Sequence, residues 1–151
     1  MNNKLKAVSM MVGGVAALMV ASLALADGRS VLVPTADLKW NDVPGFVGVK
    51  LAAVDGDPGK GPAHFFLKFA AGFAAPLHHH TANHSGTVVS GTLDLTVDGK
   101  EQKLPPGSFF EFSHKTPHVT KCEAGADCVL SMDVRGKWDV VVEKEKGGAK
   151  K

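Results

Sequence analysis

Apolar and polar residues alternate in short runs along most of this chain, and glycine and proline punctuate the runs. Phe46 to Val54 (FVGVKLAAV) is extended in character, and the dense turn run DGDPGKGP follows it. AHFFLKFA, TVVSG and TLDLTVDG read as further strands, the last ending at Asp98-Gly99, a strong two-residue hairpin signal. SFFEFS comes after Pro105-Pro106-Gly107. HVTKCEAGADCVLSMDV reads as two strands about a turn at Ala124-Gly125-Ala126, and KWDVVVE as a last strand. No sustained 3.6-residue period is present, and only Thr35 to Trp40 suggests a helical turn. Many short, closely spaced strands predict an all-β fold, a sandwich or a barrel.

The N-terminus breaks this pattern. Lys4 and Lys6 precede an apolar stretch from about Ala7 to Ala24, which closes on Ala24-Leu25-Ala26. This is the layout of a secretory signal peptide, with cleavage expected after Ala26 and a periplasmic or secreted product. A membrane anchor is the alternative, and the small-residue site favours cleavage. No cysteine stands at that site to take a lipid. The expected organisation is a leader over 1–26, one domain over 27–143 and a frayed tail over 144–151. Loss of Lys4 and Lys6 lowers the count of basic residues from 17 to 15, against 15 acidic ones. No basic stripe remains to recruit nucleic acid, and no polybasic patch or remaining span to hold a membrane.

The chemistry concentrates in PLHHHTANHSG, which holds four of the seven histidines. Side chains alternate along a strand, so His78 and His80 share a face and His79 opposes them. Three residues later, His84 has room to return to the same interior. His118 lies on a later strand after Pro117. Two imidazoles at i, i+2 can take adjacent positions on one transition metal, with the others supplied by neighbouring strands. A polar surface turn is the competing reading.

The spacing Gly72-x5-His78-x-His80-x3-His84-x6-Gly91 resembles the first motif of the cupin superfamily, with His84 where the commonest cupin has Glu. Gly99-x5-Pro105-x-Gly107 resembles the second motif, and His118 follows in a Pro-His setting. Ser113-His114-Lys115 replaces the usual Pro-Ala-Gly turn, and Cys122 stands where many plant-type cupins have Asn. The resemblance implies a jelly-roll β-barrel with His78, His80, His84 and His118 as ligands of one divalent transition metal. That metal is one of manganese, iron, nickel, copper or zinc. It also implies a small-molecule ligand and pairing into a homodimer. Four neutral imidazoles leave the metal's full charge in place, which suits an anionic or enolisable substrate. Metal affinity is expected to fall below about pH 6, as imidazole protonates.

Cys122 and Cys128 flank the Gly125 turn almost symmetrically, and in an exported chain a disulfide between them is expected over free thiols. Most of the phenylalanines read as core, with a few as pocket wall. There is no tyrosine, which removes tyrosine acid chemistry. His79 is expected outside the pocket and His114 on its rim, while His64 is not assigned. Lys68, Glu111 and Asn83 read as solvated strand residues near the motifs. Three function classes follow: a dioxygenase-like metal-dependent oxidoreductase, a metal-dependent isomerase or lyase, and a non-catalytic metal- or ligand-binding module. The fold does not choose among them, so the sequence leaves turnover open.

Overall fold

The structure, a computed structural model, describes residues 29–144. The expected leader and its cleavage point, and all of the expected tail after Lys144, lie outside the described residues. Backbone contacts divide the chain into Met1–Ser30 and Val31–Lys151. The second unit carries every described strand.

After a 3-10 turn at Thr35–Asp37 come β1 (Asn41–Asp42), β2 (Val49–Gly56), β3 (Ala63–Phe69), β4 (Ala74–His79) and β5 (His84–Ser90). Then follow β6 (Leu93–Val97), β7 (Lys100–Leu104), β8 (Phe109–Phe112), β9 (His118–Cys122), β10 (Cys128–Val134) and β11 (Val141–Val142). They form a six-stranded sheet, β1-β2-β3-β10-β5-β8, and a five-stranded sheet, β11-β4-β9-β6-β7. Every pairing is antiparallel. Two such sheets joined by crossovers make a jelly roll, the all-β barrel the sequence implied. Among the described residues no helix is long and apolar enough to cross a membrane.

Alternation builds the core. Ala63, Phe65, Leu67 and Phe69 of β3 are buried at every second position, and they meet Leu93 and Leu95 of β6 from the other sheet. The β6–β7 hairpin turns at Asp98 and Gly99, both at positive φ (50° and 74°). That is the left-handed requirement of a two-residue hairpin, and Asp-Gly meets it with little strain. Gly91 is fixed by space as well as by its φ of 73°. A Cβ there would stand 2.7 Å from the Asp127 carbonyl oxygen and 2.9 Å from Cys128 Sγ.

The structure differs from the sequence reading in three places. First, the extended run expected from Phe46 starts only at Val49, because Gly45 and Gly48 hold positive φ and turn the chain. Second, β9 and β10 are not a hairpin. β9 pairs with β4 and β6, and β10 with β3 and β5, so the loop between them carries the chain from one sheet to the other. Cys122 and Cys128 form a disulfide with Cα atoms 5.8 Å apart. It ties the two sheets through two fully buried residues. Third, KWDVVVE yields only the two residues of β11 as strand, because Trp138 turns inward to pack on Phe65 and the histidines.

Candidate metal centre

Pro76 decides which histidines face inward. It lacks the N–H needed for an uninterrupted ladder. The β4–β9 register shifts there, from Ala75 opposite Thr120 to His78 opposite His118. Three residues of β4 therefore span two of β9. Regular alternation from buried Ala75 would aim Leu77 and His79 inward. The bulge instead exposes Leu77 and buries His78 and His80. His118 begins β9 beside His78 on the inner face of the five-stranded sheet. His84 opens β5 in the opposite sheet.

All four imidazoles are buried, between 2% and 6% exposed. The rings of His78 and His118 lie 4.4 Å apart, His78 and His80 5.0 Å, and His80 and His118 5.3 Å. Nitrogens of His78, His80 and His118 all fall within 4.8 Å of one another, a grouping suited to one metal ion. His84 stands to the side of this trio. Its ring is 4.6 Å from that of His80 and 6.2 Å from that of His118.

Each ring is oriented through the same atom. His78 Nδ1–H donates to the Pro76 carbonyl at 2.7 Å, His118 Nδ1–H to Thr116 at 2.9 Å and His84 Nδ1–H to Ala82 at 3.1 Å. These three bonds reach back two residues, so the backbone just before each ring orients it. His80 Nδ1–H donates instead to the carbonyl of Asp139, far along the chain. A carbonyl can only accept, so the hydrogen sits on Nδ1 and the Nε2 lone pair is free in every ring. This is the tautomer and the orienting contact that metal-binding histidines require.

Burial also keeps the rings neutral. Desolvation pushes His80 down to about 3 and His118 down to about 4, against partial compensation from their carbonyl bonds. Desolvation lowers His78 and His84 in the same way. In the folded chain, protons compete for His80 and His118 at about pH 3 to 4.

Aromatic rings wall the cluster. Phe112 stacks on His118 with centroids 4.1 Å apart and planes 9° from parallel. Trp138 stacks on His80 at 3.9 Å and meets His84 edge-on at 5.1 Å. Asp139 anchors the same segment, its carboxylate accepting from the Thr81 N–H and hydroxyl at 2.7 Å each. Sequence reasoning missed Trp138 and Asp139. They lie in a run that reads as an ordinary strand, and the Asp139 contacts reach back 58 and 59 residues, to Thr81 and His80. The rings of His78, His80 and His118 open onto a cavity of about 60 Å³, whose other walls are almost wholly apolar.

The remaining histidines lie elsewhere. His79 points out of the barrel and donates from Nδ1 to Glu143 Oε1 at 2.5 Å. His114 is exposed in a loop at φ 56°, its backbone N–H on Asn83 Oδ1. His64 is on the outer face of β3, sharing a 3.1 Å hydrogen bond with Ser131. Lys68 lies over the Trp40 ring, and Glu111 faces Arg135 at 3.9 Å. Neither they nor Asn83 line the cavity.

A three-histidine cluster of this kind fits a transition-metal cofactor, with nitrogen donors, free lone pairs and a dry surround. Residues 65–135 match the cupin domain family. A quercetin 2,3-dioxygenase of Bacillus subtilis is 32% identical over 71 residues, 46% of this chain and 21% of that protein. This chain therefore spans about a fifth of the length of that relative. Among solved structures, the polyketide cyclase RemF of Streptomyces resistomycificus superposes with a TM-score of 0.64. It is 18% identical, over 79% of this chain and 89% of that one. An RmlC-like cupin of Ralstonia eutropha gives 0.63 at 22% identity, over 78% and 74%. The domain match, the two-sheet barrel and the inward histidines agree, and residues 65–135 of this chain form a cupin domain.

Proposed function

We propose that this protein is an exported cupin holding one divalent transition metal on His78, His80, His84 and His118, and that it acts as a dioxygenase-type oxidoreductase on a small enolisable or anionic molecule. The observation that carries the reading is the grouping of the His78, His80 and His118 nitrogens within 4.8 Å, with all four rings, His84 included, held by Nδ1–carbonyl bonds that leave Nε2 free. A bound ion of this kind would supply Lewis acidity and electron-transfer capacity toward an oxygen ligand. The chain's own residues hold the rings, exclude water through Trp138 and Phe112, and give the ligand an apolar cavity. The similarity to a quercetin 2,3-dioxygenase supports oxygen chemistry over the other classes.

The offset of His84 favours a second reading. Held aside from the trio, a neutral His84 is a candidate general base near the metal ligands, and a metal-dependent isomerase or lyase would use it for proton transfer.

Metal stoichiometry of the protein purified from its exported compartment tests the site. His80→Ala and His118→Ala should lose most of the metal, while His79→Ala should retain it. Equal retention in His79→Ala and His80→Ala would overturn the site. Loss of metal in His84→Ala supports four ligands. Full metal with abolished turnover in that variant supports the base. Oxygen uptake with candidate enols or diphenols separates the oxidoreductase from an oxygen-independent reaction.

A further inference from the structure

Resting on the metal-site reading, we infer that the cavity selects an uncharged, mostly apolar oxygen ligand of the enol or phenol type, and that Thr120 is its specificity-determining contact, holding one additional hydroxyl or carbonyl of that ligand.

The inner row of β9 runs His118, Thr120, Cys122. Thr120 is 7% exposed and lines the same cavity as His78, His80 and His118. Its two cross-strand neighbours are Ala75 on β4 and Leu95 on β6, neither with a polar side-chain atom to offer. Among the described residues the Thr120 side chain makes no hydrogen bond. Set on the cavity wall without a protein partner, that hydroxyl is available to a ligand oxygen. Ala75, paired with Thr120 across the strands, is small and lines the same cavity. Thr120 also stands two residues from His118 on one face, roughly 7 Å along the strand. A ligand anchored at the histidines can reach it across a single ring or a short chain.

The rest of the lining sets the ligand's charge. No lysine, arginine, aspartate or glutamate among the described residues faces the cavity. Leu67, Leu95, Phe110 and Met132 are typical of its walls. A dianion bound at the metal would leave its outer oxygens against these side chains with nothing to pair them. An apolar molecule with a chelating oxygen pair at one end leaves no such charge.

Zinc-loaded protein allows the test without turnover, because zinc is redox-silent. The probes are kojic acid, its deoxy analogue allomaltol, which lacks only the side hydroxyl, and oxalate. Each dissociation constant from calorimetry is divided by the same ligand's constant for zinc in water. Kojic acid should be favoured over allomaltol by roughly three- to tenfold, the worth of one net hydrogen bond, and both over oxalate. Thr120→Val should erase the preference for kojic acid, and Thr120→Ser should restore it. A preference for oxalate, or a kojic acid to allomaltol ratio unchanged in Thr120→Val, would overturn the inference while leaving the metal site standing. Should Thr120→Val fail to fold, a wild-type ratio near one overturns it equally. Failure of the wild-type protein to hold zinc at all would instead overturn the metal reading, and this inference with it.

Discussion

The two ends of β9 sit in one barrel and are held together by opposite means. At Cys122 the interior is closed by a covalent bond between the sheets, packed under Gly91 among Leu93, Val88 and Leu130. At His118 the interior is closed by four imidazoles, each tied through one ring nitrogen to a backbone carbonyl, with the other nitrogen left free. The first end is finished as it stands. The second brings the nitrogens of His78, His80 and His118 within 4.8 Å of one another in a dry space, which costs stability until something binds them. One strand thus carries a staple and a site, and Thr120 lies between them.

Acid should separate the two ends most strongly. The cystine does not titrate, whereas the folded His80 and His118 have values of about 3 and about 4 against an ordinary 6.5. Above about pH 6.5 neither state takes up these protons, and stability is flat with pH. As the pH falls below that point, the unfolded chain protonates these rings while the folded chain refuses. Stability therefore drops steadily toward about pH 4 and below. The loss for the metal-free protein is on the order of several kcal/mol, since each tenfold difference in proton affinity between the two states is worth about 1.4 kcal/mol. Urea unfolding of chelator-treated protein between about pH 7.5 and 4.5 measures it. A midpoint unchanged from about pH 7 to 5 would show that the imidazoles are not buried and neutral. His80→Leu should flatten part of the slope.

The staple comes next in size. Cys122→Ser with Cys128→Ser should lower stability by about 2 kcal/mol, the worth of closing a short loop. The same variant should hold metal in the same stoichiometry, since no cysteine touches a histidine. Denaturant midpoints and elemental analysis read the two effects separately. Loss of metal on removal of the disulfide would show that the two ends are coupled along β9, against the division drawn between them.

The histidine end was largely legible in the sequence and the disulfide end only half so, for a physical reason. The spacings of the two motifs are local facts: which residues alternate, where glycine must turn the chain, where proline interrupts it. They brought out the trio His78, His80 and His118 that the structure groups, with His84 named beside it. They could not show that the Pro76 bulge selects the face, because alternation fixes relative sides only. Cys122 and Cys128 were readable as a pair from the Gly125 turn. That their strands lie in different sheets was not, because adjacency in sequence looks the same for a hairpin and for a loop between sheets. Trp138 and Asp139 were the hardest to read. Their meaning lies in contact with His80 and Thr81, and nothing in KWDVVVE marks one side chain for the interior.

The smallest effect concerns that last segment, and it sharpens what the histidine end depends on. Trp138 lies flat on His80 at 3.9 Å and edge-on to His84, while Asp139 supplies the carbonyl that fixes the His80 tautomer. The carbonyl belongs to the backbone, so substitution of Asp139 does not delete it. The side-chain bonds to Thr81 only help to seat it. Trp138→Phe keeps an aromatic face over His80 but trims the contact. It should lower stability by about 1 kcal/mol, in the range of one aromatic pair. Trp138→Ala should cost more and should also weaken metal binding, because His80 would lose the wall that restrains its ring. Zinc affinity by competition with a chromogenic chelator, beside urea midpoints, compares the pair. If both substitutions lower stability alike while metal affinity stays at the wild-type value, Trp138 is only packing, and His80 is held by the Asp139 carbonyl alone. A graded loss, small in Phe and larger in Ala, places the restraint in the indole face. The open end of the barrel would then be held by a side chain that reaches it from beyond the last long strand.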